Sequence, residues 1–141
     1  MAGPRPRVPD YYSQSVLLRL KWPRFRKCSA RGHKAWSGPL QPSPDSPEYT
    51  VQVIYRGPHA PHVYVLSPKL EDGPHRYPGN RLCLFDPREP GRRWEADSKI
   101  GETIIPWTAA WLHYYELYLE TGVWRGPQAP HGSKLAEKRG D

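Results

Sequence analysis

The groups of this 141-residue chain that could do covalent chemistry are two thiols, and they sit in different surroundings. Cys83 lies in the short apolar run RLCLF, 81–85, directly after a loop rich in Gly, Pro and His. Loops held on a rigid sheet are where reactive groups concentrate. A thiolate there could attack a thioester or an activated carboxylate and form an acyl-enzyme. The residues alone favour a second reading, a buried cysteine acting as a small hydrophobe. Cys28 lies among Arg26, Lys27 and Arg31, cations that can lower a thiol pKa. Its neighbourhood in sequence offers only His33 as a base, so it is the weaker candidate.

Other chemistry finds no pattern to stand on. The chain has no GxxxxGK[ST] or GxGxxG run to cradle phosphate and no GxSxG elbow. Cysteine pairs at zinc spacing are absent. His59 and His62 in HAPH are metal-ligand types, yet a surface turn accounts for them as well. No metal and no cofactor is expected.

The elements that must position Cys83 are limited by 18 prolines, since each costs about 3 kcal/mol inside a helix. The widest proline-free stretch is 107–126, so a helical bundle is excluded and a loop-rich α+β domain is expected. Residues 1–9 are expected to be disordered, 10–126 to form one domain, and 127–141 to be a disordered basic tail. Asp10 should cap a helix over 11–21, with Val16, Leu17 and Leu20 as its apolar stripe. A basic connector follows, carrying Arg24, Arg26, Lys27 and Arg31.

From Ala35 the pattern turns to strands. AWSGPLQP reads as an edge-like strand broken by Pro39. EYTVQVIYR, 48–56, alternates with Tyr49, Val51, Val53 and Tyr55 on one face, and HVYVLS, 62–67, completes an antiparallel hairpin. The last element is a helix over 106–122, with Pro106 at its first position and Gly122 as its left-handed stop. Trp107, Trp111, Tyr114, Tyr115 and Tyr118 should face the core with Leu112 and Leu119, leaving His113, Glu116 and Glu120 in solvent.

The net charge of +7 belongs to the N-terminal quarter: residues 1–34 hold nine basic groups and one acid, residues 35–141 twelve and thirteen. Such a segment suits an acidic partner, nucleic acid or simple solvation. No apolar run approaches the roughly 18 residues of a membrane span, so no membrane association is expected. A cytoplasmic location with free thiols follows as the expectation.

Four segments in order resemble the ubiquitin-conjugating enzyme (UBC-like) fold, and in particular the bacterial branch found in CBASS antiphage operons. They are WSGPLQPS at 36–43, YTVQVIY at 49–55, HRYPGNRLCLF at 75–85 and IIPWTAAWLHYYELYLETGVWRG at 104–126. The resemblance implies an N-terminal helix, a small antiparallel β-meander, an active-site cysteine loop and a C-terminal helix. It implies Cys83 as the catalytic, thioester-forming nucleophile, transferring the acyl group to a lysine. The eukaryotic His-Pro-Asn motif is absent; its Asn, eight residues upstream of the cysteine, corresponds to His75 here. His75 is thereby implied as a catalytic oxyanion donor or as a brace for the loop, with Asn80 as an alternative donor. The acid that would orient the lysine is left open among Asp86, Glu89 and Asp97. The implied partner is a CD-NTase-type cyclic-oligonucleotide synthase, with or without an activating enzyme. Two rival readings stand beside it: a non-catalytic binding module of the same fold, and nucleic-acid binding through residues 5–34.

Overall fold

A computed structural model describes residues 7–71 and 76–127. Residues 1–6, 72–75 and 128–141 lie outside it, and with them His75 and most of both termini expected to be disordered. At the near end of the first terminus, the Pro9 carbonyl accepts a 2.9 Å bond from the Tyr55 hydroxyl.

The chain begins with helix α1, Tyr11–Lys21, and the Asp10 carboxylate accepts from the Ser13 amide at 2.8 Å as the N-cap. The expected apolar stripe is corrected. Leu18 and Gln14 are the buried residues of α1, while Val16, Leu17 and Leu20 are exposed. The helix turns Tyr11, Gln14, Ser15 and Leu18 inward because polar atoms there have partners. Trp36 Nε1 donates to Ser15 Oγ at 2.9 Å, and Tyr11 donates to the Ala35 carbonyl at 2.6 Å. Hydrogen bonding chose the face that hydropathy did not.

Four antiparallel strands follow in sequential order: β1 Arg26–Ala30, β2 His33–Leu40, β3 Tyr49–Ile54 and β4 His62–Ser67. The basic connector is therefore a strand. Arg31 and Gly32 close its hairpin to β2, both at positive φ (54° and 80°), the two-residue turn that matches strand twist. Its sequence hid it because RKCSA at an edge buries little apolar surface. β2 is correspondingly an interior strand, not an edge. Pro39 is tolerated because β1 pairs only with His33–Ser37, so the chain is locally an edge at Pro39.

Past β4 a two-residue ribbon pairs β5, Arg76–Tyr77, with β6, Arg81–Leu82, around a 3-10 turn at Pro78–Asn80. Helix α2 spans Ile104–Thr121, starting two residues before the expected Pro106. Pro106 still falls in the first turn, where a missing N–H breaks no helical bond. Gly122 ends the helix at φ 76°, its N–H donating to the Tyr118 carbonyl at 2.8 Å.

The sheet face carrying Trp36, Val51, Val53 and Val63 shares one core with Leu18 of α1 and with Ile104, Ile105, Trp111 and Leu112 of α2. Tyr115 joins it, whereas Leu119 is exposed. Glu116, expected in solvent, is clasped instead: Ser46 Oγ donates to it at 2.6 Å and the Tyr49 hydroxyl at 2.7 Å.

Two contacts tie α1 to the segment entering α2. Buried Gln14 donates through Nε2 to the Ser98 carbonyl at 3.0 Å, and its Oε1 accepts from the Ile100 amide at 2.9 Å. Trp22 Nε1 donates to the Gly101 carbonyl at 2.8 Å. Replacing Gln14 by Leu strands a buried N–H and a buried carbonyl, and should lower unfolding stability by about 2–4 kcal/mol in urea titrations. Gly38→Ala puts a Cβ 2.5 Å from the Phe25 ring and 2.8 Å from Phe25 Cα. It should cost about 1–3 kcal/mol in the same assay.

Candidate functional site

Cys83 directly follows β6, and the ribbon's short turn decides what surrounds it. Gly79 (φ 81°) and Asn80 (φ 69°) take left-handed conformations that Gly and Asn accept most readily. The chain then returns with Tyr77 opposite Arg81. Asn80 is thus committed to the turn and exposed.

Tyr77 and Cys83 are side-chain hydrogen-bond partners. Burial raises the Tyr77 pKa, the neighbouring Cys83 and its hydrogen bond raise it further, and Arg81 opposes them. A phenol so placed stays protonated and remains a donor. Above it, the Arg81 guanidinium lies 3.9 Å from the centre of the Tyr77 ring, a cation–π stack. Arg81 Nη1 also lies 2.6 Å from His62 Nε2. Burial, then Arg81, Arg56, Arg31 and His33, push the His62 pKa down to about 4. The imidazole is neutral at pH 7, so its Nε2 accepts from the guanidinium. A cation already occupying that nitrogen argues against the metal-ligand alternative for His59 and His62.

This relay, His62 to Arg81 to Tyr77 to Cys83, joins the start of β4 to the ribbon. Arg56, His62, Tyr77 and Arg81 line a cavity of about 140 Å³, closed on its apolar side by Leu82, Leu84 and Phe85. The sulfur is covered in this arrangement, Cys83 being 2% exposed.

The flanking segments are anchored on both sides. Before the ribbon, the Glu71 amide donates to the Tyr115 hydroxyl of α2 at 2.7 Å, and the Arg76 guanidinium donates to the Glu71 carbonyl. After Cys83, Phe85 packs on Trp107 with ring centres 5.5 Å apart, and Trp94 Nε1 donates to the Pro58 carbonyl at 2.9 Å. A wider groove of about 680 Å³ opens here between the loop and α2, lined by Asp86, Arg88, Arg92, Trp107, Tyr114 and Arg125.

Of the three acids left open by the sequence, Asp86 is engaged by Arg88, whose Nη2 stands 3.1 Å from Oδ2. The Arg88 side-chain and backbone hydrogen bonds hold the Asp86 carboxyl below its usual range. Glu89 and Asp97 are exposed. Cys28 is half-buried on the edge strand, and burial pushes its thiol pKa up rather than down. Proximity in sequence to Arg26, Lys27 and Arg31 therefore does not activate it. Cys28 and Cys83 are not joined in a disulfide.

Among the described residues, no group of three or more His, Cys, Asp or Glu comes together to hold a metal. Arg81 and Tyr77 are the site residues that sequence reasoning passed over. The only available signal was the pair of turn formers, Gly79 and Asn80, between them. No helix among the described residues is long and apolar enough to cross a membrane.

With that geometry in place, comparison with known families matches the chain to the model described as Type II CBASS E2 protein, over residues 14–132. Comparison with curated proteins gives no match.

The lowered His62 pKa makes a pH prediction with a definite sign. The unfolded ring takes up its proton near pH 6.5 and the folded ring only near pH 4. Stability is full above pH 6.5 and should fall as pH drops toward 4, because the unfolded state binds the proton first. The ring is only part-buried, so after screening the loss should be about 1–2 kcal/mol. Denaturant titrations at pH 7 and 4.5 should show this loss in the native chain and a smaller one in His62→Gln.

Proposed function

The chain belongs to the type II CBASS E2 family, and on that premise we propose that it is a ubiquitin-conjugating-like transferase with Cys83 as the acyl carrier. The order of helix, four-stranded antiparallel sheet, cysteine segment and helix is read as the UBC-like fold. The Cys83 thiolate attacks the activated C-terminal carbonyl of a partner protein, presented as a thioester or acyl adenylate, and expels the thiolate or nucleotide leaving group. A lysine amine then attacks the Cys83 thioester, the sulfur departs as thiolate, and the amine proton is lost to water. The proposed partner is the cyclic-oligonucleotide synthase of a CBASS operon. His75, eight residues before the thiol, is proposed as oxyanion donor or loop brace.

The observation that carries this reading is the family match over residues 14–132, with Cys83 inside it, and the hydrogen bond between Tyr77 and Cys83 supports it. A hydrogen bond to the thiolate favours the charged form, and Arg81 stacked on Tyr77 adds a nearby positive charge. For the sulfur to meet a carbonyl, the groups that cover it must move aside, since Cys83 is 2% exposed. That burial is also what favours the second reading, a binding module whose thiol is structural.

Docking of the partner is assigned to the outer face of α1. Tyr12, Val16 and Leu20 follow one another at i, i+4 and i+8, all exposed, with Arg19 and Lys21 in the last turn. Apolar side chains with basic neighbours suit an acidic, partly apolar surface.

Incubated with its operon partners, the native chain should acquire a mass adduct on Cys83 that is released by thiols, and Cys83→Ser should retain it as a thiol-resistant ester. His75→Ala should slow transfer about a hundredfold if His75 binds the oxyanion, and by under about tenfold if it braces the loop. Alkylation rates separate the second reading: a structural Cys83 reacts more slowly than Cys28, and no adduct forms with any partner. Leu20→Asp should weaken partner association in pull-down without lowering the melting temperature.

A further inference from the structure

Around the neutral ring of His62 the fold gathers Arg81, Arg56, Arg31 and His33. Arg31, in the β1–β2 turn, sits on the neighbouring Tyr64 of β4, its guanidinium 4.1 Å from the ring centre and its Nη1 3.1 Å from the hydroxyl. Among the described residues the ion pairs are Arg24–Glu48, Arg88–Asp86 and Arg93–Glu95, so none of the three gathered arginines is matched by a carboxylate there. The stacking of Arg81 on Tyr77 and of Arg31 on Tyr64, with the neutral His62, offsets part of the cost of crowding like charges, and no carboxylate among the described residues offsets the rest. An anion entering the cavity would repay it.

The walls choose the kind of anion. One side is cationic and hydrogen-bonding, with Arg56, His62, Arg81 and the Tyr77 edge. The other is apolar, with Pro61, Leu82, Leu84 and Phe85. A volume of about 140 Å³ suits a single side chain or chain end. Free phosphate is hydrated on all sides and would lose water against the apolar wall without return. A carboxylate on a short hydrocarbon stem satisfies both walls at once.

We propose that the cavity between Arg56, His62, Tyr77 and Arg81 is a carboxylate subsite that receives one acidic group of a peptide segment from a partner protein. Because Tyr77 both lines the cavity and bonds to Cys83, an occupied subsite holds that segment beside the thiol. This positioning role rests on the Cys83 reading, whereas the binding itself does not.

The test is an NMR titration of the full-length chain, following the His62 and Tyr77 ring signals. N-acetyl-leucine supplies a chain-end carboxylate and N-acetylglutamic acid α-amide a side-chain carboxylate, so the two sources are told apart by which binds more tightly. Inorganic phosphate is the third probe. Saturable shifts of both rings with at least one carboxylate are expected, with weaker or no response to phosphate. Arg81→Gln should weaken binding by about tenfold or more, through loss of a charge-assisted hydrogen bond. Arg56 is exposed, so Arg56→Gln should fold normally and still weaken binding measurably. The subsite is overturned if neither carboxylate gives saturable shifts, if Arg56→Gln and Arg81→Gln both bind at native strength, or if phosphate binds more tightly than either carboxylate. Carboxylate binding with an unreactive Cys83 would keep the subsite and remove only its positioning role. A reactive Cys83 without carboxylate binding would overturn the subsite and its positioning role together and leave the Cys83 reading standing.

Discussion

Gln14 carries the constraint on which the arrangement depends. Its amide is buried, and both of its polar ends are satisfied only when α1 lies against residues 98–100. A buried amide without partners costs more than its hydrogen bonds contribute, so the contact works as a condition rather than as a small bonus. It joins positions 86 residues apart, the first helix to the segment entering the last. The sheet lies between them in sequence, and the loop after Cys83 runs from the sheet to this clamp. Trp22, the C-cap residue, on Gly101 and Tyr11 stacked on Trp36, ring centres 4.6 Å apart, hold the two ends of the same helix to the segment entering α2 and to the sheet.

Glu116 does for α2 what Gln14 does for α1. Two short hydrogen bonds, from Ser46 and Tyr49, fix the middle of the helix to the sheet. Tyr115, one residue earlier, reaches the Glu71 amide with its hydroxyl. The ribbon bearing Cys83 therefore leaves the sheet from an anchored point and returns under an aromatic contact, Phe85 on Trp107. What the fold provides is a thiol at the meeting point of three held segments, with a phenol on its sulfur and arginine around it. The neutral His62 is the compromise that lets so much positive charge sit in one place.

Much of this was legible in the residues. α1 and its Asp10 cap, the β3–β4 hairpin and the Gly122 stop follow from local rules acting over a few residues. Cys83 stood out because an apolar run directly after a proline- and glycine-rich loop is an unusual place for a thiol. The buried face of α1, the strand β1 and the role of Glu116 were misread for one common reason. Each is decided by a partner distant in sequence, and hydropathy assigns no partner to a glutamine, a basic strand or a glutamate.

The sequence by itself determined which segments could be helix and which could be strand, because proline, glycine and capping residues act locally on the backbone. It also determined which sulfur follows the irregular loop, and its motifs carried the family resemblance. Only the tertiary structure decided that Tyr77, Arg81 and His62 form one relay onto that sulfur. The Gly79–Asn80 turn, the pairing of β5 with β6 and the packing of β6 beside β4 bring them together, and such contacts depend on how distant segments share one buried space.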